Sequence, residues 1–137
     1  MALGNIEREA VVKFRLEKAS NTFVEIPVLL ENMFYRTAAN RLYYACFYAA
    51  SALLINDGYE VYTHNGVKTL LGLHYIKGNR IEKSFGKMYN QLFNLRQDGD
   101  YEDWIDIEEE DIKPLVEPAE KFIAEIENLI NKNSPTI

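Results

Sequence analysis

The sequence predicts an all-α protein, an up-and-down bundle of about five helices. Apolar residues recur at spacings of three and four along most of the 137 residues, and this is the period of an amphipathic helix. No segment alternates apolar and polar residues as a half-buried strand does. Glycine and asparagine stand between the periodic segments, at points where helices commonly end.

Length and composition fit one soluble domain over residues 1–137. Hydrophobic residues make up 47% of the chain, which is enough for a core. The single cysteine, Cys46, allows no intramolecular disulfide, and the start has no basic stretch followed by an apolar one. These features predict a cytoplasmic protein without a signal peptide. The longest apolar run, 42–55, is shorter than the roughly 20 residues that span a bilayer, so we expect no membrane association.

The first two helices are expected at 5–32 and 34–57. Pro27 lacks a backbone donor and should kink or split the first helix near Phe23 to Ile26. The second helix is apolar on most of its faces, so neighbouring helices or a partner chain must cover it. Gly58 is well placed to cap its end.

Three further helices are expected at 66–77, 80–98 and 108–132. Gly99 is expected to end the fourth helix, which leaves residues 98–103 as a loop. The last helix carries the clearest apolar stripe in the chain. Its acidic start at Glu108 to Asp111 suits the positive end of the helix dipole better than it suits a metal site.

Charge is distributed unevenly along the chain, whose net charge is -6. From Arg36 to Arg96 there are eight basic and three acidic residues, a net charge of +5. From Gln97 onward there are thirteen acidic and three basic residues, a net charge of -10. The overall sign argues against indiscriminate nucleic-acid binding, but the basic middle could contact a polyanion. Ordinary solvated helix faces explain the same pattern.

Several motif-bearing enzyme classes can be set aside. The sequence has no glycine-rich phosphate loop, no GxSxG nucleophile elbow and no HExxH. One cysteine and two histidines cannot supply the ligands of a usual zinc site. We therefore predict no metal site and no cofactor.

Three segments together resemble the HEPN family, and in particular its short stand-alone prokaryotic members. They are NRLYYACFYAASALL at 40–54, THNGV at 63–67 and LRQDGDY at 95–101. The resemblance implies a helical bundle that commonly forms a homodimer and associates with nucleotides or RNA. It also implies a toxin or partner role beside a small nucleotidyltransferase, and some relatives are metal-independent ribonucleases.

Those ribonucleases use an arginine followed after four to six residues by a histidine. Arginine holds a phosphate with a bidentate fork, and histidine moves the proton of the attacking hydroxyl. After Arg96 the corresponding positions hold Tyr101, Glu102 and Asp103, so the motif is absent. Tyrosine is a poor base at neutral pH but can stack on a base or bond a phosphate. By resemblance, Tyr101 is also a candidate acceptor of AMP from the partner enzyme.

The predicted ligand-binding residues are Arg41, Tyr44, His64, Arg96, Asp100 and Tyr101. Arg41 and Tyr44 share a helix face, although Arg41 could instead form an internal ion pair with Asp100 or Glu102. His64 lies before a helix N-terminus that favours anions, where it could equally cap that helix. Arg96 and Asp100 are four residues apart and could pair.

Three functions remain open. The first is a non-catalytic, dimeric module that binds a nucleotide, RNA or a nucleotidyltransferase through its basic middle. The second is a ribonuclease that uses Arg96, Tyr101 and His64, with His64 brought close to the other two by folding. The third is a purely structural assembly partner whose interface is the apolar helix 34–57.

Overall fold

All of the regular secondary structure in the described part of the chain is helical. The computed structural model describes residues 4–101 and 106–132, with the side chains of 97–101 excepted. In chain order the elements are α1 (Asn5–Phe23), α2 (Ile26–Glu31), α3 (Tyr35–Asn56), α4 (His64–Leu71), the π-helical turn Gly72–Ile76, α5 (Lys83–Tyr101) and α6 (Glu109–Lys132). The predicted all-α, up-and-down bundle is confirmed.

Helix α3 forms the centre of the bundle because it is apolar on almost every face. From Leu42 to Ile55 most of its side chains are buried, and Leu42, Leu53 and Leu54 are inaccessible to solvent. Helices α1, α5 and α6 pack around it. Within the chain, neighbouring helices therefore cover most of the apolar surface that the sequence assigned to this helix.

Neighbouring helices run in opposite directions. Arg41 near the start of α3 reaches Glu25 beyond the end of α1, whereas Tyr48 further along α3 meets Lys18. In the same way, Phe85 early in α5 packs on Phe122 in the middle of α6, whereas Leu95 further along α5 lines one groove with Glu110 at the start of α6. Both pairs of helices are thus antiparallel, as short connections in a helical bundle favour.

The predicted break in the first helix is confirmed. Helix α1 ends at Phe23 and α2 begins at Ile26, with Pro27 in the first turn of the new helix. A proline is tolerated there because the first-turn amides of a helix have no intrahelical acceptor.

The predicted third helix, about 66–77, is present, but it begins two residues earlier than predicted and is not α-helical throughout. Thr63 is the N-cap, and its Oγ1 accepts a hydrogen bond of 2.8 Å from the Gly66 amide. His64 is therefore the first residue of α4 rather than the cap that a loop histidine could have provided. At its other end α4 widens into the π-helical turn Gly72–Ile76, a form that has no simple sequence signature and often marks functional sites.

The predicted boundaries of the fourth helix also need correction. Helix α5 begins at Lys83 and continues to Tyr101, so Gly99 does not end it and 98–101 is not a loop. A glycine inside a helix costs only about 1 kcal/mol relative to alanine, which the flanking turns can offset. The last helix begins at Glu109, close to the prediction.

Within the described ranges, no helix is both long enough and apolar enough to cross a bilayer.

Candidate ligand-binding site

One side of α3 keeps a half-buried polar and aromatic stripe. Its members recur every three or four residues, on one face of the helix, while the positions between them are buried: Asn40, Arg41, Tyr44, Phe47 and Tyr48. Tyr44 lies at the middle of the stripe, where α4 and α5 both approach it.

His64 reaches this stripe from the start of α4. Its ring lies against the Phe47 ring with centroids 4.4 Å apart, and it meets the Tyr44 ring edge-on at 5.6 Å. Its Nδ1 atom is 2.8 Å from the hydroxyl of Tyr43. Because Thr63 caps the helix, the His64 ring faces the aromatic cluster instead of the helix amides.

Tyr43 fixes the orientation of the His64 ring. Tyr43 is fully buried, and burial raises the pKa of its hydroxyl to about 12. A hydroxyl that keeps its proton can donate to Nδ1 of a neutral ring or accept from a charged one. The hydrogen bond thus persists in both protonation states of His64 and leaves Nε2 as the ring nitrogen available to a ligand.

Arg96 approaches the same two tyrosines from α5. Its Nη2 atom donates to the Tyr44 hydroxyl at 3.3 Å. Its guanidinium carbon lies 5.7 Å from the Tyr43 ring centroid and 5.6 Å from that of Tyr44, within cation–π range. The tyrosines therefore hold an arginine and a histidine in one half-buried cluster.

The positive charge of Arg96 acts on His64. Burial, followed by the Arg96 charge, lowers the pKa of the imidazole below its ordinary value of 6.5. His64 is consequently neutral near pH 7 in the free protein. A bound anion would offset the Arg96 charge and favour protonation of the ring.

The cluster has the composition of a phosphate and base site. A guanidinium presents several N–H donors, an imidazole nitrogen adds another, and the Tyr44 ring offers an aromatic face. The part of the chain that the structure describes holds no group of three or more His, Cys, Asp or Glu side chains able to bind a metal ion.

Comparison with known proteins identifies the family. The family model described as "HEPN domain" matches residues 12–129. The chain belongs to the HEPN family. A "UPF0332 protein" of Thermotoga maritima is 36% identical over 124 residues, which cover 90% of this chain and 94% of that protein.

Two archaeal relatives carry functional names. "Putative toxin MJ0605" of Methanocaldococcus jannaschii is 31% identical over 131 residues, covering 96% of this chain and 92% of that protein. "Putative toxin MJ0142" of the same organism is 30% identical over 119 residues, covering 86% and 81%.

In this HEPN chain, the three sequence segments that carried the resemblance meet at the Tyr43–Tyr44 pair. The segment 40–54 supplies both tyrosines, 63–67 supplies His64 and 95–101 supplies Arg96. Of the predicted ligand-binding residues, the structure thus brings together Tyr44, His64 and Arg96.

Arg41 is engaged elsewhere. Its Nη2 atom lies 3.4 Å from Glu25 Oε2 and 3.3 Å from Thr22 Oγ1. The observed acceptor is the exposed Glu25, across the break between α1 and α2. The predicted partners, Asp100 and Glu102, have side chains outside the described residues, so an internal ion pair with either of them stays a prediction. A ligand-binding role for Arg41 stays a prediction.

Asp100 and Tyr101 belong to the last turn of α5. Their side chains, and the whole of Glu102, lie outside the described residues. The predicted roles of Asp100 and Tyr101 in ligand binding, and of Tyr101 as an AMP acceptor, accordingly stay predictions.

Tyr43 is the site residue that sequence reasoning missed, because it belongs to the helix expected at 34–57, which is apolar on most of its faces. One signal could have identified it. A tyrosine inside the most buried helix of the chain needs a partner for its hydroxyl, whereas a phenylalanine would not.

Proposed function

We propose that this HEPN protein is a non-catalytic module that binds RNA or a nucleotide at the cluster of Tyr43, Tyr44, His64 and Arg96. We further propose that it acts as a homodimer in a toxin–antitoxin-like system with a nucleotidyltransferase partner. The names of the two archaeal relatives support the system. The family resemblance supports the dimer and the partner.

The observation that carries the binding role is the meeting of Arg96 and His64 on Tyr44. Arg96 would donate to a phosphate, since guanidinium groups match phosphate oxygens in geometry and charge. With Tyr43 donating to Nδ1, the His64 ring proton lies on Nε2, which becomes a second donor. Tyr44 would stack on a base, as aromatic side chains do in single-strand RNA recognition.

A groove between α1 and α3 supports association with another protein chain. It has a volume of about 430 Å³ and is lined by Phe14, Lys18 and Tyr48 together with Ala10, Val11 and Arg15. Phe14 is about half exposed. Light scattering tests the dimer: we expect twice the 15.9 kDa chain mass, and a purely monomeric mass at micromolar concentration would contradict it.

Fluorescence anisotropy with a labelled single-stranded RNA tests the binding role. Arg96→Ala should weaken binding about tenfold or more, because a charged hydrogen bond to phosphate contributes roughly 1.5–3 kcal/mol. Lys13→Ala on α1, an exposed residue outside the groove, is the control with the same loss of charge and should change affinity less than twofold. Equal affinities for the two variants, both folded, would contradict the proposal.

A metal-independent ribonuclease is the second candidate, and the lowered pKa of His64 favours it. A neutral imidazole can accept the proton of a 2′-hydroxyl beside an arginine that holds the phosphate. This role needs Nδ1 to carry the ring proton and donate it to Tyr43, so that Nε2 is free to accept.

Two measurements separate these candidates. The ribonuclease predicts RNA cleavage in the presence of a chelator that is abolished by His64→Gln, whereas the binding module predicts none. Nitrogen NMR of the imidazole distinguishes the tautomers directly. A proton on Nε2 supports binding, and a proton on Nδ1 supports catalysis.

A further inference from the structure

A strongly basic segment contains α4, the π-helical turn and most of α5. From residue 61 to residue 96 the chain carries six lysines and arginines and one acidic residue, Glu82. This segment has a net charge of +5 in a protein of net charge -6. A local excess of one sign focuses the field at the surface and attracts an oppositely charged partner.

This basic segment encloses a cavity. The cavity has a volume of about 250 Å³ and lies between α4, the π-helical turn and the first turns of α5. Its polar lining is Lys68, Thr69, Lys83 and Asn90, and its apolar lining includes Leu71, Ile76 and Tyr89. None of its lining residues is acidic, so an anion inside it would meet donors and no like charge.

Two glycines shape the cavity. A Cβ on Gly86 would stand 3.2 Å from Ile76, which shows how closely α5 approaches the π-helical turn. A Cβ on Gly72 would meet nothing within 4 Å, so the space beside it is open. Gly72 has helical angles, φ -62° and ψ -47°, so its open space does not arise from a backbone that only glycine can adopt.

Lys68 connects the cavity to the tyrosine pair. Lys68 lines the cavity, and its Nζ lies 4.5 Å from the centroid of the Phe93 ring. Phe93 packs edge-on against Tyr43 at 5.9 Å. Lys83, Phe93 and Arg96 follow one another along α5, and Lys83 and Arg96 are separated by roughly 20 Å at 1.5 Å per residue. That distance is long enough for more than one nucleotide of a single strand.

We propose that this cavity is a second phosphate subsite, held by Lys68 and Lys83, for another phosphate of the RNA strand that occupies the tyrosine pair. This inference rests on the proposed RNA-binding function and specifies it. The ligand is an extended single strand that lies along α5, rather than a mononucleotide confined to Arg96 and His64.

Two variants test the subsite by different means in anisotropy titrations with a single-stranded RNA octamer. Lys83→Ala removes a cation and should weaken binding about fivefold and lower the salt slope by about 0.7. Gly72→Met keeps every charge and fills the open space, and it should weaken binding by a similar factor. Lys13→Ala on α1 is the charge-matched control.

The outcomes separate this inference from the function on which it rests. If the wild-type protein binds no RNA, the proposed RNA-binding function fails. If Arg96→Ala weakens binding while Lys83→Ala and Gly72→Met bind like Lys13→Ala, only the subsite is wrong. A poly-glutamate peptide that displaces the octamer at equal charge concentration would also overturn the phosphate assignment. Circular dichroism spectra that match the wild type show that each variant is folded.

Discussion

The Tyr43 hydroxyl and the Nδ1 atom of His64 lie 2.8 Å apart and join the most buried helix of the bundle to the first residue of α4. This hydrogen bond turns the imidazole toward Tyr44 and Arg96. A single buried hydroxyl thereby joins the start of α4, which Thr63 caps, to α3 and orients the His64 ring.

The Tyr43–His64 bond should contribute measurably to folding. Tyr43→Phe keeps the ring in the core and removes the hydroxyl, so we expect a loss of about 1 kcal/mol in the free energy of unfolding. A double-mutant cycle in urea with His64→Ala should give a coupling energy of about 1 kcal/mol between these contacting residues. If the effects of the two substitutions on the free energy of unfolding simply add, the hydrogen bond does not contribute to stability.

His64 should also make stability depend on pH. Its folded-state pKa lies below the unfolded value of 6.5, so its contribution is complete above pH 6.5. That contribution is lost as the pH falls through the folded-state pKa, because the unfolded chain binds the proton more readily. Melting curves between pH 8 and pH 5 should show a steeper fall for the wild type than for His64→Gln. Parallel profiles would contradict the lowered pKa.

Arg41 should act on stability more than on binding. In its ion pair with Glu25, the Arg41 side chain is 30% exposed and the Glu25 side chain 49%. Ion pairs as exposed as this one contribute a coupling energy of about 0.2–1 kcal/mol to stability. A double-mutant cycle of Arg41→Ala and Glu25→Ala should give a coupling in that range. Because the Arg41 guanidinium is already engaged, we expect Arg41→Ala to change RNA affinity less than twofold. A loss as large as that of Arg96→Ala would place Arg41 in the site.

Tyr75 ties the π-helical turn to the end of α3. Its hydroxyl donates to Asp57, and the Arg80 guanidinium, 3.5 Å from Asp57, lies over the Tyr75 ring. Tyr75→Phe removes a buried hydrogen bond to a charged acceptor and should cost about 1.5–3 kcal/mol in urea unfolding.

Tyr62→Phe is the matched control for Tyr75→Phe. The Tyr62 hydroxyl also donates to a carboxylate, that of Glu60, but the residue is 80% exposed. We expect its loss to change stability by less than about 0.5 kcal/mol, as surface substitutions usually do. Equal costs for the two variants would mean that burial does not strengthen the Tyr75 bond.

The sequence predicted the fold well because apolar periodicity and Pro27 are local signals. It placed the break between α1 and α2 correctly and identified α3 as the covered helix. It misplaced the end of α5 because Gly99 is compatible with a helix interior as well as with a helix end. It missed the π-helical turn because this form of helix has no simple sequence signature.

The site was predicted only in part because its geometry depends on contacts between distant segments. His64, Tyr44 and Arg96 were chosen from three separate motifs, but nothing in their spacing shows that α4 and α5 bring them together. The ion pair of Arg41 with Glu25 joins residues 16 positions apart across a helix break, a geometry that a single-helix pattern does not contain. Tyr43 lies in the apolar helix α3, and its position in the sequence does not reveal that its hydroxyl bonds His64 on α4.

The most direct test of the account is an NMR titration with single-stranded RNA that follows the two histidine rings. The chain has only His64 and His74, and His74 stacks on Tyr59 at 4.6 Å, away from the tyrosine pair. We predict that the His64 ring signals move to saturation with the RNA and that its pKa rises, while the His74 signals stay in place. His64 signals that do not move at RNA saturation would contradict the central claim that RNA binds at this site.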